Sequence, residues 1–189
     1  MGIIEQKRIN SVLFFASKSR DKKIDRLKLM KLLWLSDRIH LNRYGRTILD
    51  DKYYAMKCGP VLSETDDVSQ KNIDQVICVN GFNIEAQEGP NLDYFSESDL
   101  EVMNLVWANY GILPPAKLVT YSHKFPEWKR YKKDLDKGPV KRFEMIMDDF
   151  FEDPEDVRFQ SLVSVPKESK DHIKNVYRNS NAIMAWLRS

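Results

Sequence analysis

The chain has 189 residues, 42% of them hydrophobic and 31% charged, a globular composition long enough to bury a core of its own. Thirty Lys and Arg oppose 28 Asp and Glu, so the formal net charge is only +2. No run of about 18 apolar residues is present, which excludes a membrane-spanning helix. The charged first ten residues do not read as a signal peptide. Two cysteines, Cys58 and Cys78, make no disulfide framework, so a reducing, cytoplasmic setting is expected.

In chain order, Ile4 to Ser17 reads as a helix, with Ile9, Val12, Leu13 and Ala16 on one stripe. Asp25 is the expected N-cap of a second helix over Arg26 to Asn42, with Gly45 as its stop. That helix is apolar on more than one face, as central helices are. Lys52 to Lys57 reads as a strand ended by Cys58-Gly59-Pro60, with Pro60 placed to start a helix. Val76 to Val79 and Phe82 to Ala86 read as a hairpin turning at Asn80-Gly81, the residue pair of a type I′ turn. Ser96 to Asp99 is a capping-box variant opening a helix that runs to Tyr110 and stops at Gly111. Pro114-Pro115 starts a helix broken by Pro126, and a short piece begins at Glu127. Val140 to Phe151 and Glu168 to Leu187 fit two further helices. The expected fold is a single α+β domain over residues 1–189, mainly α-helical, with a central apolar helix and a small antiparallel β-sheet.

The near-neutral total hides segregation: the net charge is +8 over residues 1–57, −9 over 58–110, +6 over 111–142 and −3 over 143–189. Such blocks either neutralise one another in the fold or form complementary faces for a partner.

No motif carries catalysis. The seven glycines form neither GxGxxG nor GxxxxGK[ST], and no CxxC, HExxH or GxSxG occurs, so no cofactor, metal or nucleophile site is expected. His123 and Glu127 share a helical spacing, but Pro126 lies between them, and His123 reads better as a packed side chain. Asp148 and Asp149, with Glu144, point about 100° apart on a helix and read as an exposed acidic face rather than a cation site. Cys58 reads as a buried small hydrophobe and Trp34 as core; Trp128 fits core and surface equally. Seven basic residues from Lys18 to Lys31 form a candidate phosphate-binding patch, but the adjoining helix is too apolar to read a groove.

The stretch Leu29 to Asp37, LMKLLWLSD, resembles the KLxKLLYLAD helix of the Panacea domain, the SocA-like antitoxin family. Tyr44-Gly45-Arg46 and Tyr54 to Val61, with its Gly59-Pro60-Val61, resemble that family's YGR and GPV continuation, and Leu118, Ser122-His123 and Pro126-Glu127-Trp128 its later segment. Trp34 and Ser36 stand where Tyr and Ala are more usual, and Cys58 where an aromatic is common. The resemblance covers residues 9–151 and leaves a C-terminal helical extension over 157–189. It implies a prokaryotic or phage antitoxin, encoded beside a toxin and neutralising it by direct protein binding, with no catalysis and no cofactor. An alternative is an adaptor that delivers the toxin to a protease, the C-terminal helix supplying the second surface. Another is a nucleic-acid-binding regulator using residues 18–31. The candidate partner-binding residues are Tyr44, Arg46, Tyr53, Lys57, His123 and Trp128. Asp37, Gly45, Gly59 and Pro60 are candidate motif residues, which either tie the central helix to its loop or shape a partner groove along Arg43 to Val61.

Overall fold

The structure is a computed structural model that describes residues 2–155 and 165–188. The first helix, α1 (Ile3–Lys18), buries its expected stripe and Phe14 and Phe15 besides. It packs on α2 (Arg26–Tyr44), which starts where Asp25 accepts a 3.0 Å hydrogen bond from the Lys28 amide. That helix ends at Gly45, whose φ of +72° is open to glycine at little cost. Every residue of α2 from Leu29 to Asn42 is buried, because other elements surround it on all sides. Polar side chains on it, Lys31, Asp37, Arg38 and His40 among them, are therefore buried too, and each finds a hydrogen-bond partner as burial demands.

Two small antiparallel sheets flank α2. One has the order β1-β5-β4, from β1 (Lys23–Asp25), β4 (Ile77–Asn80) and β5 (Asn83–Ala86). The other has the order β3-β2-β6, from β2 (Tyr53–Met56), β3 (Gly59–Leu62) and β6 (Arg142–Glu144). Among the described residues the remaining α-helices are α3 (Ser63–Ser69), α4 (Glu97–Tyr110), α5 (Pro115–Ser122), α6 (Pro126–Lys129), α7 (Lys132–Lys137) and α8 (Lys167–Arg188). The capping box at Ser96 and Asp99 forms in full. The architecture is a mainly helical α+β fold, and one hydrophobic cluster joins the helices to both sheets.

Three local expectations are corrected. Pro60 does not open a helix: it lies in β3, opposite Ala55, and α3 starts only at Ser63. Proline is tolerated there because β3 is an edge strand, which needs no ladder donor on its outer side. The β4–β5 turn is Gly81-Phe82, since Asn80 pairs with Asn83, and of the two only Gly81 has positive φ, +61°. Glycine at the first central position is the preference of a type II′ turn. Residues 140–151 do not form one helix. Phe143 is half-buried and Met145 buried between exposed neighbours, a period of two, and the free edge of β2 supplies the hydrogen bonds. A 3₁₀ turn over Met147–Phe151 follows.

The C-terminal helix α8 forms as expected. Ile173 and Tyr177 pack on the core, Tyr177 with its ring 5.7 Å from that of Phe151. Lys170 pairs with Asp153 at 2.6 Å, and Arg178 with Asp148. Val176, between Ile173 and Tyr177, is 42% exposed; the side chains of Met184 and Leu187 lie outside the described residues.

Candidate functional site

The motif residues of α2 act first on its own loop. The buried Asp37 carboxylate accepts from the Ile48 amide at 2.7 Å, the Leu49 amide at 3.2 Å and the Tyr53 hydroxyl at 2.7 Å. Burial outweighs these donors and pushes the Asp37 carboxyl up to about 7. One turn on, His40 donates from Nδ1 to the Arg46 carbonyl at 2.8 Å, and the Arg46 guanidinium reaches Asp99 at 2.8 Å. Burial acts upward on Asp99, but bonds from His40, Lys7 and the Ser96 amide hold its carboxyl well below the usual range. Tyr44 donates to Glu101 at 2.7 Å. Asp37, Tyr44 and Arg46 thus bind the central helix to the following loop and to α4. Tyr44 and Arg46 keep exposed flanks, whereas Tyr53 is only 4% exposed and offers no surface.

Gly59-Pro60 has a different task. The β2–β3 turn is Lys57-Cys58, and Gly59 leaves it with φ +95°. A Cβ there would lie 2.7 Å from Lys31 Cε and closer still to Ser122 Oγ, so glycine is required by conformation and by space. Lys31 is 1% exposed and donates from Nζ to the Pro60 carbonyl at 2.7 Å. Burial pushes its ammonium down to about 7. Behind the turn, Trp128 donates from Nε1 to the Met56 carbonyl at 2.8 Å and stacks on His123, with ring centroids 3.5 Å apart. Burial, with the charges of Lys31 and Lys132, pushes His123 down to about 4. Glu127 turns the other way and pairs with Arg38 at 2.8 Å, both side chains wholly buried. His123 and Glu127 therefore share no ligand position, and Trp128, 3% exposed, is a prop for the hairpin rather than a surface group.

In front of the same turn lies an open cleft of about 790 Å³. The N-terminal half of α2 supplies Leu27 and Met30, the hairpin supplies Met56, Lys57, Cys58 and Val61, and Phe82 of the β4–β5 turn also lines it. Leu135 and Asp136 of α7 line it too, with Gly138, Val140 and Lys141 after that helix. Cys58 is exposed here, which corrects the expectation that it is buried: it stands at the tip of a tight turn. Lys57 is the one candidate partner-binding residue that lines the cleft. Tyr44 and Arg46 face α4, so the loop from Arg43 to Val61 serves two faces. Phe82, Val140 and Lys141 were missed by sequence reasoning because Phe82 was assigned to a strand and Val140 to a helix. A large apolar residue directly after a turn glycine was the available signal.

Asp148 and Asp149, expected on an exposed acidic face, are engaged instead, and Asp149 is buried. Asp148 bonds Arg178 and Asp149 bonds Arg130, while Asp51 accepts from the Glu64 and Thr65 amides at the start of α3. Among the described residues, no group of three or more potential ligands is placed to hold a metal. The basic run from Lys18 to Lys31 is dispersed as well. Lys18 lies over the Phe14 ring, Lys23 pairs with Glu85 at 3.0 Å, Arg26 with Asp66 at 3.7 Å, and Lys31 is buried. Lys31 is therefore withdrawn from the expected patch, while Lys18, Arg20, Lys22 and Lys23 stay exposed.

Comparison with known proteins bears on the stretches just described. A family model described as Antitoxin SocA-like, Panacea domain, matches residues 29–129, which hold Asp37, the β2–β3 hairpin and the His123 to Trp128 segment. Curated proteins and solved structures yield no match.

Proposed function

Because the chain belongs to the SocA-like Panacea antitoxin family, matched over more than half its length, we propose that it neutralises a cognate toxin by binding it directly, without catalysis. One observation carries this reading: Met30 of α2 and the Met56 to Val61 hairpin, both inside the family-matched region, wall an open apolar cleft. Partner recognition uses such surfaces, with apolar anchors inside a polar rim. The buried titratable groups support binding over catalysis. Asp37, Lys31, Glu127 and His40 are each bonded to backbone or to another buried side chain, and none of them lines the cleft.

The test is co-expression with the product of the adjacent gene, scored by growth rescue and co-purification. Rescue with a stable complex is the expected result. A complex without rescue removes the neutralising role, and neither toxicity nor complex sinks the reading for that neighbour.

The adaptor reading draws on α8, where Ile183 is 58% exposed beyond the part that packs on the core. Removing α8 would then leave the toxin complex intact and abolish toxin degradation. No helix among the described residues is long and apolar enough to cross a membrane.

A further inference from the structure

The cleft carries more information than its shape. Its lining includes two large apolar side chains in the open, Phe82 at 70% and Val140 at 48% exposure, beside the more buried Leu27, Met30, Met56 and Val61. Exposed apolar groups beside a concave apolar floor mark a contact site. The charges around it are unevenly satisfied. Arg26 is paired with Asp66, and Asp25 is occupied as the cap of α2. Lys57 and Lys141 remain, both exposed and with no carboxylate at ion-pair distance among the described residues; Asp136 lines the cleft with them, and Asp25 keeps its charge while it caps α2. Lys137 and Arg142 lie exposed next in sequence to the lining residues and add positive charge.

We propose that this cleft receives an apolar segment of the toxin that carries carboxylates: its apolar side chains sit on Met30, Met56 and Phe82, and its Asp or Glu side chains pair with Lys57 and Lys141. The proposal rests on the antitoxin reading and specifies where and how the toxin is held. A volume of about 790 Å³ takes a few side chains rather than a folded domain. That size falls in the range of about 300–1,000 Å³ typical of binding pockets. The rest of the toxin then lies across the rim. Charge complementarity selects an acidic segment over a basic one, because a Lys or Arg placed between Lys57 and Lys141 would meet like charges.

The experiment measures the affinity of the whole chain for the whole product of the adjacent gene by titration calorimetry, and scans overlapping 15-residue peptides of that product. Wild type is compared with the double variant K57E/K141E, with V140D, and with K117E on α5 as a control outside the cleft. All four positions are exposed, so the variants are expected to keep the fold, which their thermal unfolding checks. The expected result is a loss of about 30-fold or more for K57E/K141E and for V140D and no loss for K117E, with the bound peptides apolar and acidic. Reversing the acids of the bound peptide to Lys then restores affinity for K57E/K141E. Binding of K57E/K141E and V140D within about twofold of wild type overturns the cleft proposal and leaves the antitoxin reading standing. Wild type that neither binds nor neutralises overturns the antitoxin reading itself.

Discussion

Gly59 and Gly81 both have positive φ, +95° and +61°, but only Gly59 is crowded, by Lys31 and Ser122; a Cβ at Gly81 meets nothing within 4 Å. Gly81→Ala is expected to cost about 1 kcal/mol, the conformational term alone. Gly59→Ala is expected to cost about 2–4 kcal/mol because a clash is added. Urea unfolding of both variants checks the difference, and equal losses would refute the steric account. Lys31 yields a pH prediction. Burial brings its native value down to about 7, against an ordinary value of 10.5 in the unfolded chain. Between these values the unfolded state binds more protons, so stability rises with pH, by up to about 1.4 kcal/mol per unit. Lys31→Met is expected to abolish that rise, read from thermal unfolding between about pH 7.5 and 9.5. Asp37 works oppositely. Raised to about 7 from 3.8, it is still protonated in the native state where the unfolded carboxyl has ionised, so its contribution falls as pH climbs from about 4 to 7.

Among elements, α6 is held to α2 by a buried pair. Glu127→Ala strands the Arg38 guanidinium, wholly buried beside the Phe125 ring, and is expected to cost about 3–5 kcal/mol in denaturant unfolding. Elements whose signals are local were legible in sequence. Asp25, Gly45 and the Ser96–Asp99 box mark helix ends through bonds made within a few residues, and all three act as read. Elements that depend on distant partners were not. β6 exists because β2 offers an edge nearly 90 positions earlier, and β3 keeps Pro60 because it lies on the rim of a sheet. The 23–25 strand was hidden in a basic run for the same reason: its partner is β5. The candidate site was legible only in part. Lys57 and the Gly59-Pro60 turn belong to a local motif, whereas Phe82 and Val140 reach the cleft from separate stretches of chain.

For the whole molecule, the segregated charge largely folds against itself. The basic block 1–57 meets the acidic block 58–110 in Lys7–Asp99, Arg8–Glu64, Lys23–Glu85, Arg26–Asp66 and Arg43–Glu101. Positive charge left exposed gathers instead on the stretch from Lys132 to Arg142, beside the cleft. Surface pairs of the first kind contribute little each, about 0–1 kcal/mol, whereas an unneutralised patch steers association over distance. Raising NaCl from about 0.05 to 0.5 M is therefore expected to shift the unfolding free energy by less than about 1 kcal/mol, yet to slow toxin association about tenfold or more. Stopped-flow association and urea unfolding at the two salt concentrations check the contrast.

The β2–β3 turn has a consequence for how such a protein changes its partner. Its backbone is fixed from behind by Lys31 on the Pro60 carbonyl, Trp128 on the Met56 carbonyl and the close approach at Gly59, while Lys57 and Cys58 stand at the tip with their side chains in the open. Scaffold and readout thus fall on different residues of one five-residue stretch, Met56, Gly59 and Pro60 for the first and Lys57 and Cys58 for the second. If the tip meets a partner as proposed, substitutions at Lys57 and Cys58 are expected to change what is bound while the backbone of the turn stays in place.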